Sequence, residues 1–211
     1  MVARLKEFDC RNNRLAQLTL QQDGFEQAVE EAKIRYGPER IGLFLGTSTS
    51  GMLQTEMAYR HRDPVTGDLP KTFNYKETQN NFSVAAFVKK YLKLEGPALV
   101  ISTACSSSAK VFAEASRFIE SGFCDAAIVG GVDSLCQTTL HGFSSLELVS
   151  TKPCRPADSN RDGLSIGEAG GYTLLEKPEN SDFKNQITFL GYGESSDAYH
   201  MTSPHPDGRG M

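Results

Sequence analysis

The sequence predicts an α/β fold: a mixed, mostly parallel sheet with helices on both faces. Three observations carry this. Residues 98–131 read as an apolar run, a small-residue turn, a helix-period segment and a second apolar run, which is strand, turn, helix, strand. An earlier apolar run, Ile41–Leu45, ends in the small-residue turn GTSTSG. Segments of helical period separate these runs, as crossover helices do between parallel strands.

The elements follow in order. From Arg11 to Tyr36, Leu15, Leu18, Phe25, Val29 and Ala32 recur at helical spacing, with Gly37-Pro38 as the stop. Gly24 weakens the middle, so the segment is one bent helix or two. IGLFL (Ile41–Leu45) is a buried strand. The polar loop RHRDPVTGDL carries His61, a surface histidine. Phe82, Ala85, Ala86, Val88 and Leu92 mark a helix ended by Gly96-Pro97, which delivers the chain to the strand Ala98–Ile101. The helix Ser106–Glu120 presents Val111, Phe112, Ala115 and Ile119 to the sheet and stops at Gly122. After the strand Ala126–Val129, QTTLHGFSSLEL forms an irregular helix, GYTLLE a strand and Ile187–Leu190 a further strand.

Length suits one domain, and the composition is that of an ordinary globular protein. A net charge of −4 argues against nucleic acid as a partner. No apolar run is long enough to span a bilayer and nothing resembles a signal peptide, so a cytoplasmic location is the expectation and no membrane contact is expected. The five cysteines, Cys10, Cys105, Cys124, Cys136 and Cys154, have no paired spacing, which argues for reduced thiols and against a structural metal site.

Cys105 stands out by position. It lies where a strand gives way to a helix, at the carboxyl end of the sheet, where open α/β sheets place their ligands. A helix start favours an anion, hence a thiolate. Ser106, Ser107 and Ser108 supply cap-type hydroxyls. Gly130-Gly131, at the end of the next strand, removes side chains where an acyl group has to approach. Position alone leaves a buried structural cysteine equally open.

The segment ISTACSSSAKVFAEASRFIESGFCDAAIVGGVDSL resembles the active-site segment of 3-ketoacyl-acyl carrier protein synthases, the condensing enzymes of fatty acid and polyketide synthesis. LVSTKPCRPADSNRDGLSIGEAGGYTLLEKPE and GYGESSDAYHMTSPHPDG resemble two further segments of that family, in the same order. The resemblance implies a thiolase-like fold, of which residues 1–211 are one βαβαβαββ half of a five-layer αβαβα architecture, with the C-terminal half absent and the usual first strand lacking a counterpart before Arg11.

It also implies site residues. Cys105 is the nucleophile, with its own backbone N–H as half of an oxyanion hole. Phe143 stands where the family sets a phenylalanine against the acyl chain, and residues around Thr49 and Met52 line the acyl pocket, the latter two from across a dimer interface. Arg11 and Arg14, at a helix start, are candidates for docking the acyl carrier protein; a solvated helix end is the other reading. Arg161, Asp162 and Glu168 brace a loop beneath the site by charge-assisted hydrogen bonds. Asp197, His200 and Thr202 match a loop flanking the carrier protein's entrance. Glu147 lies near a position where some relatives carry a basic carrier-contacting residue. His141 is not carried over, since the family's catalytic histidines lie outside this segment.

No metal or dissociable cofactor is implied; 4'-phosphopantetheine arrives on the carrier protein. The expected assembly is a homodimer or heterodimer of the complete enzyme. Two alternatives remain: a non-catalytic, chain-length-factor-like structural partner, which typically lacks the cysteine, and another thiolase-superfamily acyltransferase.

Overall fold

The computed structural model describes residues 3–177, 187–200 and 203–210. The chain divides into two units, Met1–Lys177 and Pro178–Met211.

The first unit is built on four strands, β1 (Ile41–Gly46), β2 (Ala98–Ile101), β3 (Ala126–Asp133) and β4 (Ala169–Glu176), in the order β2-β1-β3-β4. β1 runs parallel to both β2 and β3, and β4 is antiparallel to β3. All six residues of β1 are buried, as expected of a strand covered on both faces. The alternation of side chains divides the core. Ile41, Leu43, Leu45 and Ile128 point to one face, and Phe44, Ala127 and Val129 to the other.

The first face is covered by α1 (Arg11–Leu20), α2 (Phe25–Tyr36) and α4 (Ser83–Leu92), through Ala16, Leu20, Val29, Val84, Phe87 and Val88. The second is covered by α5 (Ser107–Glu120), through Val111, Ala115 and Ile119, with Phe118 edge-on to Phe44 at 5.0 Å. Two shorter helices, α3 (Met52–Arg60) and α6 (Gln137–Ser145), follow the carboxyl ends of β1 and β3. Arg40 and Asp125, at the opposite ends of these strands, form a bidentate pair at 2.8 and 2.9 Å.

The segment before β1 is two helices. The break is made by Asp23 and Gly24, both with positive φ (52° and 72°), a conformation that ends a helix and suits glycine. α4 stops at Lys93, in left-handed conformation, three residues before the Gly-Pro expected to end it. α6 is shorter than expected, ending at Ser145.

In the second unit Ile187–Leu190 forms no strand, contrary to expectation. Ile187 and Leu190 are exposed, and the run has no ladder partner among the described residues; a strand without one loses the hydrogen bonds that define it. Within this unit the Asp197 carboxylate accepts the N–H groups of Tyr199 and His205 at 3.2 and 2.9 Å, folding the Pro204–Pro206 turn back on itself. Thr202 lies outside the described residues.

Candidate active site

The carboxyl ends of β1, β2 and β3 lie side by side, with Gly46 paired to both Ile101 and Gly131. Glycine is required at two of these positions by the close approach of α5. A Cβ on Gly46 would meet the backbone of Ser107 and Ser108 at 2.6 Å, and one on Gly131 would collide with the Ser108 hydroxyl. Two bare strand ends thus let the first turn of α5 sit directly on the sheet. Ser108 stands where a side chain on Gly131 would be, and the Gly171 carbonyl where one on Gly130 would be, while both glycines line an open cavity beside them.

Cys105 lies in a single 3-10 turn, Ala104–Ser106, between β2 and α5, and is exposed. The residue before it, Ala104, has φ +52°, left-handed backbone that costs a residue with a Cβ about 1–2 kcal/mol. Serine hydroxyls hold this conformation. Ser107 Oγ accepts the Thr103 N–H at 2.9 Å and donates to the Ala104 carbonyl at 2.7 Å. Ser106 Oγ donates to the Thr103 carbonyl at 2.9 Å. The serines were expected to cap α5, but the Ser106 side chain makes no cap hydrogen bond. The hydroxyls close the turn that carries the thiol.

A further hydroxyl comes from the loop after β1: Ser48 Oγ donates to the Ala104 carbonyl at 2.9 Å. That loop is in turn held by Asp133, the last residue of β3. One carboxylate oxygen, Oδ1, accepts the N–H groups of Ser48 and Thr49 at 2.7 and 2.8 Å and the hydroxyls of Thr47 and Thr49 at 3.0 Å each. Neither Ser48 nor Asp133 was singled out from sequence. The signal available was the hydroxyl-rich TSTS run beside a strand-end aspartate, and only the sheet order brings the two together.

The expected pocket residues fall into place unevenly. Thr49 is buried and its hydroxyl also accepts the Ser134 N–H, so its polar atoms are engaged in the loop. Met52 opens α3, half-buried. Phe143 lies half-buried on α6. α3 holds α6 through Glu56, whose carboxylate accepts the N–H groups of Gln137 and Thr138 and the Thr138 hydroxyl at 2.6–2.9 Å. Burial raises the proton affinity of Glu56, but these hydrogen bonds outweigh it and hold its carboxyl below the usual range. An open cavity of about 730 Å³ lies over β3 and β4, lined by Ser108, Phe112, Asp133 and Tyr172 among others; Cys105, Thr49, Met52 and Phe143 do not line it.

Arg11 forms a bidentate pair with Glu168, both contacts at 2.6 Å, and Arg14 pairs with Asp9 at 2.7 and 2.9 Å. Glu168 also accepts the Leu135 N–H at 3.0 Å, joining α1, the loop after β3 and the approach to β4. Its carboxyl is held below the ordinary value chiefly by Arg11. Arg161 donates to the Asp158 carbonyl, and Asp162 accepts from Ser150, so these two brace their own loop. The brace expected among Arg161, Asp162 and Glu168 is therefore two separate arrangements, because the guanidinium that meets Glu168 comes from α1. His61 and His141 are exposed, on Met57 and Gln137 respectively. Glu147 is exposed with φ +56°. Among the described residues no group of three or more His, Cys, Asp or Glu could hold a metal ion, and no helix is long and apolar enough to cross a membrane.

The family model described as Beta-ketoacyl synthase, N-terminal domain, matches residues 13–181. The chain belongs to the beta-ketoacyl synthase family. It is 30% identical over 197 residues to the 3-oxoacyl-[acyl-carrier-protein] synthase 2 of Vibrio cholerae, covering 87% of this chain and 47% of that protein. Against the synthase 2 of Rhizobium meliloti it is 38% identical over 129 residues, 56% of this chain and 31% of that protein. The structure of a ketosynthase in complex with its chain length factor from Xenorhabdus doucetiae superposes with a TM-score of 0.82 at 40% identity, over 100% of this chain and 51% of that chain. The synthase domain thus spans about half the length of its relatives or less, and its fold is the N-terminal portion of the thiolase-like architecture.

Proposed function

We propose that this chain is the nucleophile-bearing N-terminal half of a 3-ketoacyl-acyl carrier protein synthase, and that Cys105 is its acyl acceptor. The exposed thiol at the start of α5, on a turn closed by Ser106 and Ser107, supports this best. A cysteine nucleophile divides one difficult acyl transfer into two easier ones. The Cys105 sulfur attacks the carbonyl carbon of an acyl thioester borne by 4'-phosphopantetheine. A new S–C bond forms, the old one breaks, and the departing pantetheine thiol takes up the proton that Cys105 gives away. The malonyl unit on a second carrier protein then loses carbon dioxide, and the resulting carbanion attacks the acyl carbon. The 3-ketoacyl product leaves two carbons longer, and Cys105 departs as thiolate.

The first step needs an oxyanion hole, to which the Cys105 N–H contributes. Each such donor is worth about 3 kcal/mol. The second step needs groups that the family places in the other half of the synthase, so acyl transfer is assigned to this chain and condensation to the assembled enzyme. Phe143, Met52 and Thr49 border the acyl chain when the dimer, homomeric or heteromeric, is complete. Arg11 and Arg14 meet the acidic carrier protein with guanidinium groups that are each already paired with a carboxylate, Glu168 and Asp9 respectively. The pathway sits in the cytoplasm with other carrier-protein chemistry. The retained Cys105 favours this reading over a chain-length-factor-like partner.

Intact-mass analysis and peptide mapping test the proposal, after incubation with long-chain acyl-carrier protein, with and without an added C-terminal half from a relative. The expected result is one acyl adduct on Cys105, abolished in Cys105→Ala. Absence of an adduct with the second half present would assign the chain to the structural-partner class.

A further inference from the structure

We infer that Ser48 is a positioning residue for Cys105, acting through the Ala104 carbonyl, and that Asp133 sets Ser48 in place. The inference rests on Cys105 being the nucleophile. Ala104 is the pivot: its φ of +52° is a conformation that a residue with a Cβ leaves unless held, and the direction in which the next residue projects depends on it. Ser107 holds the Ala104 carbonyl from within the turn. Ser48 is the hold from outside, 56 residues away on the loop after β1, with its hydroxyl 2.9 Å from that oxygen.

The Ser48 hydroxyl can serve only if its own backbone is fixed. Asp133 supplies this by gathering four donors from Thr47, Ser48 and Thr49 on one oxygen, with the Ser48 N–H closest at 2.7 Å. The line Asp133, Ser48, Ala104, Cys105 therefore joins the carboxyl ends of three strands, β3, β1 and β2, in the order in which they lie in the sheet. Residues of a rigid scaffold thus aim a residue on a turn, which is how first contacts are kept in productive geometry.

The test uses the full chain and the rate of iodoacetamide alkylation at Cys105, read by peptide mass spectrometry against Cys154, the other exposed cysteine, in the same tube. Ser48 is exposed, so Ser48→Ala leaves the core intact, and continued protection of buried Cys10 and Cys124 verifies this. Ser48→Ala is expected to slow Cys105 at least threefold relative to Cys154, and Ser48→Thr, which keeps the hydroxyl, to restore the wild-type ratio. Asp133→Asn is expected to slow Cys105 in the same direction. An unchanged ratio in Ser48→Ala, or a Thr variant as slow as the Ala variant, overturns the inference. The nucleophile reading is judged separately, by whether Cys105 in the unaltered chain outpaces Cys154.

Discussion

Arg11 and Glu168, 157 residues apart, meet in a bidentate ion pair at 2.6 Å, and the same carboxylate accepts the Leu135 N–H. The pair fastens α1 to the loop that follows β3. Both side chains are partly exposed, 46% and 27%, so the gain is that of a well-aligned surface pair. Removing either member is expected to cost about 0.5–1 kcal/mol. In a double-mutant cycle by urea unfolding, Arg11→Ala and Glu168→Ala should cost less together than the sum of their separate effects. Strict additivity would show that the pair contributes nothing.

Glu56 gives the protein an acid-sensitive joint between α3 and α6. Its folded carboxyl titrates below the unfolded value of 4.5, so the stability it contributes is present above pH 4.5 and is lost as pH falls through the folded value. Glu56→Gln is expected to lower stability by about 1–2 kcal/mol at pH 7, where hydrogen bonds to a charged acceptor are lost. The two proteins should converge once Glu56 is protonated. Urea midpoints measured from pH 7 down to pH 3 follow this; a constant gap across that range would contradict it.

The glycine platform under α5 predicts two unequal effects. Gly46→Ala sets a Cβ against the backbone of Ser107 and Ser108, which cannot rotate away, and is expected to cost about 1–3 kcal/mol and to slow alkylation of Cys105. Gly131→Ala meets the Ser108 hydroxyl first and the Ser108 Cβ behind it at 2.9 Å, so Ser108→Ala should recover part of its loss. Chemical unfolding of the single and double variants is the measurement, and failure of Ser108→Ala to rescue at all would show that the hydroxyl is not the source of the loss.

The five thiols should divide by accessibility. Cys10, Cys124 and Cys136 are buried, and burial pushes the thiols of Cys10 and Cys124 up, so they are expected to react only on unfolding. Cys105 and Cys154 are exposed, and Cys105 is expected to be the faster of the two near neutral pH. Time-resolved alkylation with peptide mapping checks this. Equal rates at these two positions would remove the argument that the turn before α5 activates Cys105.

The apolar runs and their helical separators were legible because burial leaves a period in the sequence. Ile41–Leu45, Ala98–Ile101 and the segment through Cys105 appear in the structure where the pattern set them. Ile187–Leu190 carries a similar short run without forming a strand, since three apolar residues and a threonine state a preference and a ladder partner decides the outcome. The glycines show the same limit. A glycine states that something comes close, and only the packed chain shows that Ser108 does.

By itself the sequence determined the alternation of strands and helices, the family and the placing of a cysteine at a strand-to-helix junction, all of which depend on neighbours along the chain. The tertiary structure decided that Glu168 answers Arg11, that Glu56 caps α6, and that Asp133 and Ser48 reach the turn before Cys105. Each of these is a directional hydrogen bond between residues at least 56 positions apart. Such bonds leave no period, and the sheet order alone brings their two ends within reach.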